Sequence, residues 1–184
     1  MGRRIFLPSL AILGITAAIL WALGRTPICT CGTIRLWVGE RDSAHTSQML
    51  ADWYSFSHIV HGLLFYAILR LVARKAPVEW RFFLALVVEA AWEVLENTPF
   101  IIDRYRETTA ALGYNGDSIV NSLSDIAMMA IGFLAARKLP LWASISLVAL
   151  LELVPLFVIR DNLTLNVWML LWPTQWLQHW QSGG

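Results

Sequence analysis

Charge is scarce in this chain of 184 residues. Asp, Glu, Lys and Arg together make up 15% of it, against about 25% in soluble domains. The charges nearly balance, at net +1, so no basic field points to nucleic acid. Cysteine is almost absent. The two that occur, Cys29 and Cys31, are spaced C-x-C, which fits neither a zinc ribbon nor a disulfide framework. They read as a loop thiol pair, too close for an ordinary disulfide. Internal repeats, low-complexity tracts and charge runs are missing too, so nothing divides the chain. No H-E-x-x-H or G-x-S-x-G motif names a chemistry.

What is plentiful is apolar. Hydrophobic residues reach 57%, with ten tryptophans, and the mean hydropathy is +0.56. That composition belongs to a membrane protein with interfacial aromatics. A single integral-membrane domain over residues 1–184 is expected. Arg3 and Arg4 precede an apolar run over 5–23 with no clean A-x-A-like cleavage site after it, so it reads as a retained helix. Further runs cover 53–72, 80–97, 118–136 and 141–159. Each is near the roughly 20 residues that a hydrocarbon core requires. Between the third and fourth, "TPF" reads as a helix break followed by the loop "DRYRETTAALGYNG". The tail over 165–180 carries four tryptophans and Pro173, and reads as an interfacial helix or a sixth span. The expected fold is an all-α, polytopic transmembrane bundle in a lipid bilayer.

Lysine and arginine in short loops set the orientation. An N-terminus in the cytoplasm places Arg3, Arg4, Arg70, Arg74, Lys75, Arg81, Arg137 and Lys138 inside. Arg25, Arg35, Arg41, Arg104, Arg106 and Arg160 then lie outside. The bias is eight against six, and the inside group is tighter against the helix ends.

With this topology the ionisable groups gather at one depth. His58, His61, Glu89, Glu93, Asp125 and Glu152 fall roughly 7–13 Å below the outer boundary, at 1.5 Å rise per residue. His58 and His61 are i, i+3; Glu89, Glu93 and Glu96 are i, i+4, i+7; Asp117, Asn121 and Asp125 are i, i+4, i+8. Each set makes one stripe on a helix. A lipid-facing charge at mid-span costs about 2.5–3.5 kcal/mol, so the stripes are expected to face one another around a polar cavity open to the outside. Simpler roles compete at several positions. Asp117 can be a helix N-cap, the serines of "GDSIVNSLSD" can serve close helix packing, and Asp103 with Arg104 can form a loop salt bridge. The histidines can belong to a structural network with the glutamates.

Two imidazoles among carboxylates suit zinc, or manganese or iron with more oxygen ligands. His58, His61 and Glu89 are the candidate metal ligands. Asp125, Glu93, Asp117 and Asn121 are the candidate catalytic groups. A metal there could activate water beside a lipid or peptide bond. Metal-free carboxylate pairs could do acid–base work, and the same groups could relay protons or bind a transported cation. A role as a partner of another membrane protein complex is the remaining alternative.

"SFSHIVHG", "EAAWEVLENTPFIIDRYR" and "GYNGDSIVNSLSD" resemble the defining blocks of uncharacterised protein family 0314 (domain of unknown function 2585). The resemblance covers nearly the whole chain. It implies a multi-pass protein of the bacterial inner membrane and carries no activity with it. More distantly, H-x-x-H-G, E-x-x-x-E and G-D-x-x-x-x-S-x-x-D ahead of Gly132 are similar to YjdF-like and VanZ-like membrane proteins. "IIDRYR" and "NSLSD" faintly resemble lipoprotein signal peptidase, which would make Asp103 and Asp125 a catalytic dyad. Against that, Asn97 stands six residues before Asp103 rather than three, and the histidines have no place in such a mechanism.

Overall fold

A computed structural model describes residues 3–109 and 113–183. The side chains of Arg3 and Arg4, and residues 110–112 of the expected loop, lie outside the described part. Among the described residues all regular structure is helical. The order is α1 (Arg3–Ala22), α2 (Ser55–Val72), α3 (Val78–Glu96), α4 (Pro99–Thr108), α5 (Ile119–Lys138), α6 (Leu141–Ile159), α7 (Leu163–Leu171) and α8 (Gln175–Gln181).

The five long helices fall within two residues of the expected bounds. Four of them are long and apolar enough to cross a membrane: Ile5–Ala22 of α1, and α2, α5 and α6. The fifth expected span, α3, is as long as the others, but Glu79, Arg81, Glu89, Glu93 and Glu96 take it out of that apolar class. The tail departs from the expectation of one helix. It breaks around Pro173 into α7 and α8, of nine and seven residues. At 1.5 Å per residue these reach about 14 and 11 Å, too short to cross.

Two local readings are corrected. "TPF" starts a helix as well as ending one, because Pro99 stands in the first turn of α4, where its missing N–H costs nothing. Asp103 therefore lies on a helix. It pairs with Arg106 at 3.7 Å, while Arg104 donates from Nε to the Leu170 carbonyl at 3.0 Å. Adjacent helical residues point to different faces, so the expected Asp103–Arg104 bridge does not form. The second correction concerns Cys29 and Cys31, which form a disulfide with Cα atoms 5.1 Å apart. That separation lies inside the range a disulfide takes.

Helices α2 and α5 pack most extensively, and two glycines explain how. A Cβ on Gly62 would stand 2.0 Å from the Met129 carbonyl oxygen, and one on Gly132 would stand 2.0 Å from the Ile59 carbonyl oxygen. The backbones meet directly, as small residues permit in membrane bundles. α1 covers α3, and α6 covers α2. The dry core joins Ala85, Leu86 and Ala90 of α3 to Ile126, Met129 and Phe133 of α5. Outward faces are apolar: Leu141, Trp142, Ile145, Leu150 and Phe157 of α6 are all exposed. Such surfaces are compatible with a lipid surround and would be unusual in water.

On the side where α5 begins, the α1–α2 loop closes over the bundle. The amides of Ser118, Ile119 and Val120 donate to the carbonyls of Ser47, Thr26 and Pro27 at 3.0, 2.8 and 3.0 Å. Asp161, fully buried between α6 and α7, ties the other end in. Its Oδ1 accepts from the Asn162 amide (2.9 Å) and Gln181 Nε2 (3.1 Å), and its Oδ2 accepts from the Tyr54 hydroxyl (3.2 Å). Burial pushes the Asp161 carboxyl up to about 6, although these hydrogen bonds and Arg41 oppose the rise.

Gly132→Ala should destabilise the detergent-purified protein by at least about 2 kcal/mol, since overpacking forces backbone shifts. Gly14→Ala, whose Cβ meets nothing within 4 Å, should be neutral or slightly stabilising. Equal melting of both variants would refute the glycine contact as the anchor of the bundle. For Asp161 the folded carboxyl holds its proton more tightly than the unfolded one. Its stabilising contribution is therefore complete below about pH 4 and is lost as pH rises through about 6. The stability of the native protein relative to Asp161→Asn should fall by about 2 kcal/mol between pH 4 and pH 7, measured by chemical denaturation. A pH-independent difference would contradict the buried, protonatable state.

Candidate functional site

The α2–α5 contact places His58 one turn outward of Gly62, and Asp125 two turns outward of Gly132, with α3 closing the third side. Glu89 is the hub. Its carboxylate is fully buried and faces the Nδ1 of His58 at 2.6 Å and the Nδ1 of His61 at 3.1 Å. The two imidazoles lie edge to face, their centroids 5.3 Å apart. One helical turn outward, Glu93 approaches His58 Nδ1 at 3.4 Å. On the other side of the ring, His58 Nε2 faces Asp125 Oδ2 at 3.9 Å. The Ser55 hydroxyl orients Asp125 through a 2.8 Å bond to Oδ1.

A second layer continues outward. Asp117 is locked by Asn97, which donates from Nδ2 to Asp117 Oδ2 and accepts the Asp117 amide on Oδ1, both at 2.7 Å. The Tyr114 hydroxyl adds a 3.1 Å bond to Oδ1, and the Tyr105 hydroxyl bonds Glu96. Gly116 supplies the turn with φ +85°, and a Cβ there would collide with Arg25 and Asn97. Around this site three of the four groups of ligand atoms that lie mutually within 4.8 Å among the described residues are found: His58/His61/Glu89, His58/Glu93/Asp125 and Glu93/Glu96/Asp117. They share members, so donor atoms run continuously from His61 to Asp117.

The electrostatics are unbalanced. Carboxyls of Glu89, Glu93, Glu96, Asp117 and Asp125 meet two imidazoles, and the ion pairs that Glu89, Glu93 and Asp125 make among the described residues are all with His58 or His61. Glu93 is 1% exposed, and both its oxygens lack a hydrogen-bond donor among the described residues. With the His58 imidazole 3.4 Å away, a buried carboxylate in that state is neutralised by that ring, by a proton or by a bound cation, since an uncompensated charge costs several kcal/mol. At the outer edge, burial pushes the Asp117 carboxyl up to about 6 against its bonds to Asn97 and Tyr114. Burial likewise raises Asp52, although the amides of Ser47 and Tyr54 bond its carboxylate. The Tyr105 and Tyr114 hydroxyls are held neutral by burial and by the carboxyls around them, so both remain donors.

Part of this constellation lines a cavity of about 290 Å³; Glu93 is not among the lining residues. His58, His61, Glu89, Glu96, Asp117 and Asp125 form its polar side; Phe65, Val88, Trp92, Leu163 and Val167 form an apolar side. Val88 and Val167 are also exposed at the outer, apolar surface of the helices. Ser47, Tyr54, Tyr114 and Asp117 are shared with a second cavity of about 1120 Å³ beneath the α1–α2 loop. The inner site thus adjoins a polar vestibule.

The expected ligands His58, His61 and Glu89 come together, with Glu93, Asp125 and Asp117 next to them. Asn121 is buried but turned away, donating from Nδ2 to the Met49 carbonyl at 2.8 Å. Glu152 shares the depth but not the site. Its carboxylate accepts from the Leu163 and Thr164 amides at 3.2 and 3.1 Å, at the start of α7. The α5 N-cap is Ser118, which accepts from the Asn121 amide, and not Asp117. Asp103 is exposed and does not line the cavity, so no Asp103–Asp125 dyad is formed. Tyr105, Tyr114, Trp92 and Ser47 escaped the reading of the sequence. No spacing rule marks them, and α4, which carries Tyr105, stands where the sequence predicts a loop.

Comparison with known proteins gives a consistent result. A protein from Sphingopyxis alaskensis named "UPF0314 protein" is 48% identical over 184 residues, covering 100% of this chain and 98% of its own. One of the same name from Paracoccus denitrificans is 51% identical over 170 residues, 91% of this chain and 88% of its own. "UPF0314 protein RL4541" of Rhizobium johnstonii is 47% identical over 178 residues, 97% and 91% of the two chains. No solved structure matches. The profile described as "Protein of unknown function (DUF2585)" matches residues 20–183, and the chain belongs to that family.

Proposed function

We propose that this protein is a multi-pass enzyme of the bacterial inner membrane, with its N-terminus in the cytoplasm. It is a metal-dependent hydrolase or transferase acting on an amphipathic lipid or peptide of the envelope. The observation that carries the reading is the convergence of His58, His61 and Glu89 on an amphipathic cavity, with the Glu93 carboxylate, which accepts no hydrogen bond among the described residues, beside His58. Two imidazoles and a carboxylate fit zinc, and added carboxylates fit manganese or iron. One cation would replace the protons that now join both imidazoles to Glu89. Bound there, it would supply a Lewis acid and an activated water.

The chain's own groups divide the remaining work. Asp125, held by Ser55 and facing His58, is placed to take a proton. Glu93 is the group whose ionisation the cation would permit. Asp117 and its tyrosine partners guard the passage from the vestibule. The apolar side, with Val88 and Val167 at the outer surface, suits the hydrophobic part of a substrate arriving from the lipid phase. Proton or cation transport is the competing reading, and the buried Glu93, which accepts no hydrogen bond among the described residues, would serve it. Beyond the site, however, Ala85, Leu86, Ile126, Met129 and Phe133 are packed and buried, which favours a site entered from one side.

Metal content of the purified protein and the deletion phenotype test this together. Native protein should retain about one divalent ion per chain. A His58→Ala, His61→Ala variant should bind it at least tenfold more weakly. Asp125→Asn should keep the metal and membrane abundance but fail to complement a deletion, since an amide cannot act as a base. Complementation by Asp125→Asn at normal abundance would refute the enzymatic reading. Metal content unchanged in the double histidine variant would refute the ligand set.

A further inference from the structure

The disulfide of the α1–α2 loop lies apart from the His/carboxylate cavity and has chemistry of its own. We propose that Cys29–Cys31 is a thiol–disulfide exchange site that oxidises pairs of cysteine thiols in polypeptides reaching this face of the protein. The proposal is independent of the metal site and of the reaction assigned to it.

The bond makes a poor staple. It joins residues two apart, and the chain entropy removed from the unfolded state is least for such short rings. Its two sulfurs stand in opposite surroundings. Cys29 is 3% exposed and packs with Val38 and Met49, whereas Cys31 is exposed. An incoming thiolate can therefore reach Cys31 and not Cys29. The buried sulfur is also the one prepared to leave. Cys29 Sγ accepts the Cys31 amide at 3.1 Å and faces His45 Nδ1 at 3.8 Å. The Cys31 amide donor, joined by the His45 imidazole when Nδ1 carries a proton, makes the departing Cys29 thiolate a better leaving group.

The surroundings favour a polypeptide over a small thiol. Thr30, between the two cysteines, lines the vestibule of about 1120 Å³, which offers room for an extended segment. Ile34, Leu36 and Trp37, just beyond Cys31, are exposed by 53%, 80% and 41%. An unfolded chain carries apolar side chains that such a patch can take up.

A substrate thiolate attacks Cys31 Sγ, the Cys29–Cys31 bond breaks, and its electron pair leaves on Cys29 Sγ. The substrate's second thiolate then attacks the substrate sulfur of the mixed disulfide and releases Cys31 as a thiolate. The substrate dithiol becomes a disulfide, the protein disulfide becomes a dithiol, and the two protons end on Cys29 and Cys31.

The test uses the oxidised full-length protein in detergent and a reduced synthetic peptide carrying two cysteines. Exchange is stopped by alkylation and read by mass spectrometry. Native protein should oxidise one peptide per chain at least tenfold faster than a Cys29→Ala, Cys31→Ala variant. Offered instead a peptide whose one cysteine is capped as a mixed disulfide with thionitrobenzoate, Cys29→Ala should capture the peptide on Cys31 with release of thionitrobenzoate, whereas Cys31→Ala should capture none on Cys29. His45→Ala should slow exchange about fivefold or more with unchanged melting. Peptide thiols left unconsumed by the native protein, equal trapping at both cysteines, or an unaltered rate in His45→Ala would each overturn the proposal. The native measurement holds even if a cysteine variant fails to fold.

Discussion

Everything near the site depends on where the buried charge of Glu89 is neutralised. A fully buried carboxylate without partners would cost more than the helix that carries it could tolerate. His58 and His61, one turn apart on α2, face it together. That pairing requires α2 and α3 to meet in one register, and α5 must lie close enough to bring Asp125 to the far side of His58. The backbone contact at Gly62 and Gly132 provides this closeness. Packing and polar chemistry are thus one constraint: lengthening either glycine would move the histidines relative to two helices at once.

A second consequence is the division of the bundle into a dry half and a wet half. Ala85, Leu86, Ala90, Met129 and Phe133 seal one side of the charged layer. The other side opens through Tyr114 and Asp117 to the vestibule. Asn97 makes the join rigid, bonding Asp117 through both ends of its amide. Within this frame Glu93 has no donor. A buried carboxylate that accepts no hydrogen bond and has only His58 beside it fits a site that receives something, as buried polar groups in packed interiors are otherwise hydrogen-bonded.

The long helices were legible in the sequence because apolar run length is nearly sufficient to define them. The convergence of His58, His61, Glu89, Glu93 and Asp125 was legible for a similar reason: helical spacing gives a face, and the cost of lipid-facing charge points that face inward. Depth alone misled at Glu152. Its helix sits across from α7, and its carboxylate serves the start of that helix. Asn121 shares a stripe with Asp125 but is captured by the Met49 carbonyl, a contact that depends on the path of the α1–α2 loop. Pro99 was read as a stop although it occupies the first turn of α4, so Tyr105 went unnoticed. Asp117 and Ser118 are both able to cap α5. The choice of Ser118 was decided by Asn97 and Tyr114, which lie far off in sequence or on a loop without periodicity.

The claim at the centre of this account is that His58, His61 and Glu89 hold a divalent cation inside the bundle. X-ray absorption at the metal edge of zinc-loaded full-length protein reads the coordinating atoms directly. The account predicts two imidazole nitrogens at about 2.0–2.1 Å, with oxygen completing a four-coordinate shell and no sulfur. A shell of oxygen alone, or one containing sulfur from Cys29 and Cys31, would contradict it.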